Sequence, residues 1–178
     1  AEPPGAGPRR EIVELEGVGP AGTDQILRSI LPGRPSPAVV EDLATRTRGN
    51  PFFVEQLGRE LLEKGAFVDG AAGLELRGSE APLPASIAEV LVARFDRLPI
   101  ALRHAIQAAS VLGLVFAQPV LEDMLGRSVA DDVQVAQSAA VWSETDGERL
   151  SFAHGLMRDA ASELLSAARK RQLHGTAA

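Results

Sequence analysis

The sequence predicts a mainly α chain: a small helical bundle, then a second helical domain with short β-hairpins. Three observations lead there. Apolar residues recur at three- and four-residue spacing through most of the chain. Ser36-Pro37 and Asn50-Pro51 each pair a capping side chain with a proline at the first helical position. Asp146-Gly147 separates two short segments, a strong hairpin signal.

Taken in order, Ile12-Val13-Glu14-Leu15-Glu16 alternates and predicts one strand, which needs a partner in a later hairpin or in a sheet outside this chain. A helix is expected from Thr23 to about Leu31, with Ile26, Leu27, Ile30 and Leu31 on one face, before Pro32-Gly33-Arg34-Pro35 breaks it. Ser36 caps the next helix, which runs from Pro37 to about Arg48 on an inner stripe of Val39, Val40, Leu43 and Thr47. Gly49 suits the left-handed position after that helix. Asn50 is pushed out of the helical region by the following proline and is a good N-cap. Pro51 then opens a helix that ends before Gly65, with Phe53, Leu57 and Leu61 inward, flanked by Val54 and Leu62. Ala66 to Asp69 and Leu74 to Arg77 predict a hairpin, and Gly78 to Pro84 a linker.

In the second half Ser86 starts a helix through Ile87, Val90, Leu91 and Leu98, stopped by Pro99. Ala101 to about Leu112 is the expected central buried helix. A short helix spans Pro119 to Leu125, and another carries Val129, Val133, Ala136 and Ala140. Val141 to Glu144 and Arg149 to Phe152 form the hairpin about Asp146-Gly147. One last helix is expected from about Gly155 to Gln172, with Leu156, Ala160, Leu164 and Ala168 inward. Helices followed by a hairpin in this order predict a winged-helix domain. No internal repeat is visible.

Composition bounds the function. The 178 residues allow one domain or two small ones. The chain is 45% hydrophobic but only 4% aromatic, so its core is expected from Leu, Val, Ile and Ala. A net charge of -6 argues against gripping nucleic acid or anionic membrane through bulk charge. The lack of cysteine removes disulfides and thiol chemistry and suits a reducing cytoplasm. No apolar run approaches the roughly 20 residues of a membrane helix, and Pro/Gly-rich Ala1 to Arg10 looks like a loop from something longer rather than a signal peptide.

Most motifs for chemistry fail. Gly17-x-Gly19-x-x-Gly22, with Glu41 about 20 residues on, matches a dinucleotide fingerprint. Its strand carries Glu14 and Glu16, however, and no βαβ unit follows, so a loop before a helix is the better reading. Neither Lys64 nor Lys170 follows a glycine, so no P-loop is present and the chain by itself should not hydrolyse ATP. His104, His154 and His174 match no metal spacing, and no catalytic residue is nominated. His104 and His174 are expected on helix surfaces. The short helix Pro119–Leu125, taken as groove reader of the winged helix, presents Glu122 and Asp123, the wrong charge for phosphate. His154 sits where the wing strand meets the last helix, and from physics alone would be a capping or half-buried residue.

The run Thr47-Arg48-Gly49-Asn50-Pro51-Phe52-Phe53 resembles the G-x-P segment in the lid of STAND-class signalling NTPases. Phe152-Ala153-His154-Gly155-Leu156-Met157-Arg158-Asp159-Ala160 resembles the F-x-H-x-L-x-R-x-A segment of the bacterial members, and Leu83 to Pro99 their L-P-x-S-I-x-x-x-L-x-x-R-x-D-x-L-P stretch. The resemblance covers roughly residues 10 to 174 and is nearest to ATPase modules of LuxR-type regulators and of ATPase-linked adenylate/guanylate cyclases. Gly155 departs from it, standing where relatives often carry a side chain.

The resemblance implies a division into a loop and last core strand (1–22), a helical lid (23–66), a hairpin and linker (67–82), a winged helix with exit helix (83–174) and a tail (175–178). It also implies an ATP/ADP site shared with a core outside this chain. Pro51 would lie on adenine, Gly49 and Asn50 would shape the lid backbone, and His154 would approach the β-phosphate. The implied partners are that core, downstream helical repeats and, in the active state, further copies; no tight nucleotide binding by this chain alone, no nucleic acid and no membrane are expected. A nucleotide-independent interaction domain and, behind it, a DNA-binding winged helix are the alternatives.

Overall fold

Three short helices, each with a proline in its first turn, open the fold: α1 (Pro20–Ile30), α2 (Pro37–Thr47) and α3 (Pro51–Glu63). The computed structural model describes residues 16–77, 84–147 and 149–176, so the expected strand at Ile12–Leu15 and most of the linker lie outside the described residues. The chain divides into two compact units, Ala1–Ala81 and Pro82–Ala178.

In the first unit α1 begins three residues before the expected Thr23, because Pro20 supplies a preset first turn and Gly19 serves as N-cap. Thr23, Leu27 and Leu31 are buried, while Ile26 and Ile30 are half-buried. The α2 stripe is Val39, Val40, Leu43 and Thr47, as the periodicity predicts. On α3 the apolar positions Phe53, Val54, Leu57 and Leu61 are buried together with Gln56 and Glu60. Glu60 is satisfied in part by Lys64 at 2.9 Å, one turn on. Gly58 lets α1 approach α3: a Cβ there would lie 2.6 Å from Ile30 Cδ1 and 3.0 Å from Leu27 Cδ2.

The hairpin β1 (Phe67–Gly70) and β2 (Gly73–Leu76) is antiparallel, with Phe67 opposite Leu76. It belongs to this unit rather than to a linker. Ser36 N–H donates to Leu74 O at 2.9 Å and Leu74 N–H to Arg34 O at 2.7 Å, forming a parallel bridge at Pro35. Proline is tolerated there because the flanking residues make the bonds.

The second unit contains α4 (Ile87–Asp96), α5 (Ile100–Leu112), β3 (Val115–Ala117), α6 (Gln118–Leu125), α7 (Ala130–Ser138), β4 (Trp142–Asp146), β5 (Arg149–Phe152), α8 (Gly155–Glu163) and α9 (Ala167–Thr176). Ser86 caps α4: its hydroxyl accepts from Glu89 N–H at 3.2 Å, and the Glu89 carboxylate reaches back past the cap to accept from Ala85 N–H at 3.0 Å. The buried α5 packs against α6, α7, α8 and α9 through Leu102, Ala105, Ile106, Ala108 and Ala109. The sheet order is β3-β5-β4, all antiparallel. Helix α5, strand β3, helices α6 and α7 and the β4–β5 wing, with the first strand against the last, make the winged-helix arrangement.

Three expectations are corrected. Strand β3 was not foreseen; its three residues gain strand character only by pairing with Arg149–Ser151. Ala140 is not on the inner face of α7. The helix stops at Ser138, and Ala140 follows as an exposed left-handed residue at φ 49°. The last helix is two. A tight turn from Leu165 N–H to Ser162 O closes α8, and Ser166 restarts the chain as α9, its hydroxyl accepting from Arg169 N–H. Met157, Ala160, Ala161 and Leu165 therefore face inward, while Leu164 and Ala168 are exposed.

The helical core is mostly aliphatic, with Phe53 on α3 and Phe95 on α4 as its buried aromatics, and the sheet adds an aromatic cluster. Phe116, Trp142 and Phe152 meet edge-on and tilted, with ring centroids 5.3 to 6.3 Å apart. Such pairs contribute about 0.5–1.5 kcal/mol each beyond area burial. Trp142 is the chain's single tryptophan, so its emission reports on this unit. Among the described residues no helix is long and apolar enough to cross a membrane.

Left-handed geometry costs alanine roughly 1–2 kcal/mol. Ala140→Gly is therefore expected to stabilise the second unit by about 0.5–1 kcal/mol after the entropy of glycine is deducted. A urea titration followed by Trp142 emission checks it, and an unchanged or lower midpoint contradicts the argument.

Candidate functional site

Between Thr47 and Pro51 the chain ends one helix and starts the next in three residues. Both Arg48 (φ 51°) and Gly49 (φ 67°) are left-handed, where the sequence points to Gly49 alone. Arg48 tolerates this because its N–H still closes the last turn on Thr45 O at 3.2 Å. Gly49 N–H then donates to Ala44 O at 3.1 Å. Asn50 turns to extended geometry, and its Oδ1 accepts from Phe53 N–H at 3.1 Å. Pro51 stands at the first helical position. Gly49 is buried, while Asn50 and Pro51 are exposed.

A second segment holds this corner. Val18 N–H donates to Gly49 O at 2.7 Å, so the chain entering α1 crosses directly over the end of α2. This gives Gly17 a structural role that no local signal in the sequence carried. Gly19 and Gly22 open α1, and α2 follows with no parallel strand between, so the dinucleotide fingerprint is not realised here.

His154 lies in the other unit. It is the N-cap of α8, in extended geometry, and its Nδ1 accepts from Leu156 N–H at 3.1 Å. The residue is exposed, yet its backbone is well fixed: Ala153 N–H donates to Val141 O at 2.9 Å, and Phe152 is buried in the aromatic triad. With Nδ1 used as an acceptor, the network assigns the proton of the neutral imidazole to Nε2. Thus Gly49, Asn50 and Pro51 form one feature, and His154 is a separate one with the same chemistry, an exposed helix N-terminus. The groove of about 530 Å³ lined by Pro32, Leu62, Phe67, Val68 and Asp69 lies at the opposite end of α3 from Pro51.

The position of the groove-reading helix in a winged helix falls to α7, not to the α6 segment Pro119–Leu125, because β3 precedes α6 and makes it the second helix of the domain. The charge argument survives the shift, since the first turn of α7 carries Asp131 and Asp132. Asp132 pairs with Arg127 at 2.5 Å, and Arg127 also donates to Ala101 O at 3.0 Å. On α6, the Glu122 carboxylate accepts from Val129 N–H at 2.9 Å, Ser128 Oγ at 3.1 Å and Gln118 Nε2 at 3.2 Å. These bonds, the one from Val129 foremost, hold its carboxyl below the usual glutamate value. Its role is to tie the α6–α7 turn.

His104 is exposed, as expected, and the His174 side chain lies outside the described residues. Among the described residues no cluster of three His, Asp or Glu is placed to hold a metal. No protein-family model, curated protein or solved structure matches the chain.

Two predictions rest on this geometry. Asn50→Ala and His154→Ala should each cost about 1 kcal/mol of stability in their own unit, with Asn50→Ser and His154→Asn retaining most of it. Helical circular dichroism reads the first and Trp142 emission the second during urea unfolding; equal losses in the Ala and cap-retaining variants would contradict the caps. Because the Glu122 value is depressed on folding, its contribution is complete above the unfolded value near 4.3 and is lost as pH falls through the folded value. Glu122→Ala should therefore flatten the fall of Trp142-reported stability on acidification below about pH 4.3, and an unaltered pH dependence would count against it.

Proposed function

We propose that this chain is the lid and winged-helix part of an ATP/ADP-dependent signalling switch of the STAND class. The switch belongs to a larger protein, a transcriptional regulator or an ATPase-linked cyclase. The observation that best supports this is the state of the two resemblance motifs. Each presents its key side chain exposed, at the first turn of a capped helix, on a backbone fixed by long-range hydrogen bonds. Helix N-termini favour anions. A fixed, exposed proline ring is a flat surface for a base.

On this reading Pro51 packs on adenine, with Gly49 and Asn50 setting the backbone. His154 donates from Nε2 to the β-phosphate of ADP and so favours the resting arrangement. Exchange to ATP removes that contact and lets the winged helix leave, because a ligand shifts a switch only by its differential affinity for the two states. The core that supplies the P-loop, the downstream repeats and further copies of the protein are the partners. The acidic α6 and α7 suit protein contact rather than DNA.

The test is ADP release from the full-length protein. A hydrogen bond to a charged group is worth about 1.5–3 kcal/mol, so His154→Ala should speed release roughly tenfold or more. His154→Asn, which keeps the α8 cap, should do the same, and Pro51→Ala should weaken binding less. Release rates equal to wild type in all three would overturn the reading. A nucleotide-independent interaction domain is favoured by one observation of its own: Leu114, Val115 and Val120, at β3 and α6, are 45%, 39% and 44% exposed.

A further inference from the structure

Gly17 and Gly49 meet backbone on backbone. A Cβ on Gly17 would lie 2.5 Å from Arg48 O and 3.1 Å from Gly49 C; a Cβ on Gly49 would lie 2.5 Å from Val18 O and 2.9 Å from Gly17 C. Real Cβ atoms do not come within 3.0 Å of such neighbours, and both obstacles are main-chain atoms that no side-chain rotation can move aside. The approach is therefore close from both sides, and a side chain at either position would strike the backbone of the other segment. The 2.7 Å bond from Val18 N–H to Gly49 O closes it.

Two features make this more than loop packing. The contact sits immediately before Asn50, whose backbone direction sets both the cap on Phe53 N–H and the aim of the Pro51 ring. And Gly17 is outside the left-handed region, unlike Gly49, so an alanine there would meet a steric obstacle without backbone strain. Gly19, two residues on in the same segment, has nothing within 4 Å of its Cβ position.

We infer that the segment Glu16–Gly19 is a strap that positions Pro51, and that Gly17 is a positioning residue for the ligand face of the α2–α3 corner although it stands outside the motif. The inference rests on the proposed nucleotide role for its functional half and on geometry alone for its structural half. Adding one methyl group at residue 17 displaces the strap, breaks the Val18–Gly49 bond and frees Asn50 and the first turn of α3. The strap precedes α1, and the α1–α3 seam of Leu27, Leu57 and Leu61 does not include it, so the variant retains a folded unit.

The experiment compares Gly17→Ala with Gly19→Ala, each checked for wild-type helical circular dichroism. Amide hydrogen exchange is read in this chain. The expected result is at least tenfold faster exchange at Gly49, Phe53 and Val54 in Gly17→Ala, with Gly19→Ala at wild-type rates and both variants unchanged at α8. Equal exchange in the two variants would overturn the strap. ADP release is then read in the full-length protein. Faster release in Gly17→Ala, but not Gly19→Ala, supports positioning of the ligand face. If Pro51→Ala speeds release and Gly17→Ala does not, the positioning role fails while the nucleotide reading stands. If Gly17→Ala changes exchange but neither it, Pro51→Ala nor the two His154 variants change release, the nucleotide reading fails, and with it the functional half of this inference.

Discussion

A helix of 8 to 13 residues, the range from α6 to α3 and α5, is marginal alone in water, because nucleation fixes several dihedrals for one hydrogen bond. The described helices of this chain must therefore be held at their ends and along one face. The ends are where the sequence invests its specific chemistry. Ser36, Asn50, Ser86, His154 and Ser166 each turn a side-chain acceptor onto the first turn of a helix. Pro20, Pro37 and Pro51 fill positions where a missing N–H costs nothing. Both candidate site residues with side-chain roles in the fold, Asn50 and His154, belong to this set. The proposed function and the observed capping fall on the same few atoms, which is why each must be tested with a variant that keeps the cap.

What was legible follows from the range of the interaction. The α2 stripe, the Asn50-Pro51 start and the Asp146-Gly147 hairpin depend on neighbours within a few residues, and the sequence announces them. Strand β3 depends on residues more than thirty positions away, and Val115-Phe116-Ala117 has no alternation of its own to reveal it. The break at Leu164–Ser166 contains neither Gly nor Pro. Its signal was Ser166, but a serine inside an apolar period is easily read as a tolerated helix residue. Which leucine faces inward then changes from Leu164 to Leu165. For the site, the residues Gly49, Asn50, Pro51 and His154 were named from motifs, and the capping atoms were foreseeable. The strap through Gly17 was not, because a backbone crossing leaves no trace in local composition beyond a glycine.

The acidic winged helix is explained by its internal bonds. Glu122 and Asp132 are not a free acidic surface: one holds the turn into α7 and the other anchors Arg127, which reaches back to α5. A DNA-reading helix in this fold places donors and cations toward phosphate. Here the first turn of α7 spends its charged side chain on the fold, and Asp131 beside it is acidic and exposed. The module has the winged-helix arrangement while these acidic side chains serve its own packing.

On the proposed nucleotide reading, the two roles of His154, cap and sensor, fall on different nitrogens. Nδ1 accepts from Leu156 N–H, and that bond places the proton on Nε2, so the cap is what makes the outer nitrogen a donor. A phosphate taking that donor leaves the cap intact, and its departure leaves α8 formed. The consequence is mechanical. Nucleotide exchange on this reading does not melt the first turn of α8; it changes only whether a folded, rigid winged helix is held by one hydrogen bond to its ligand.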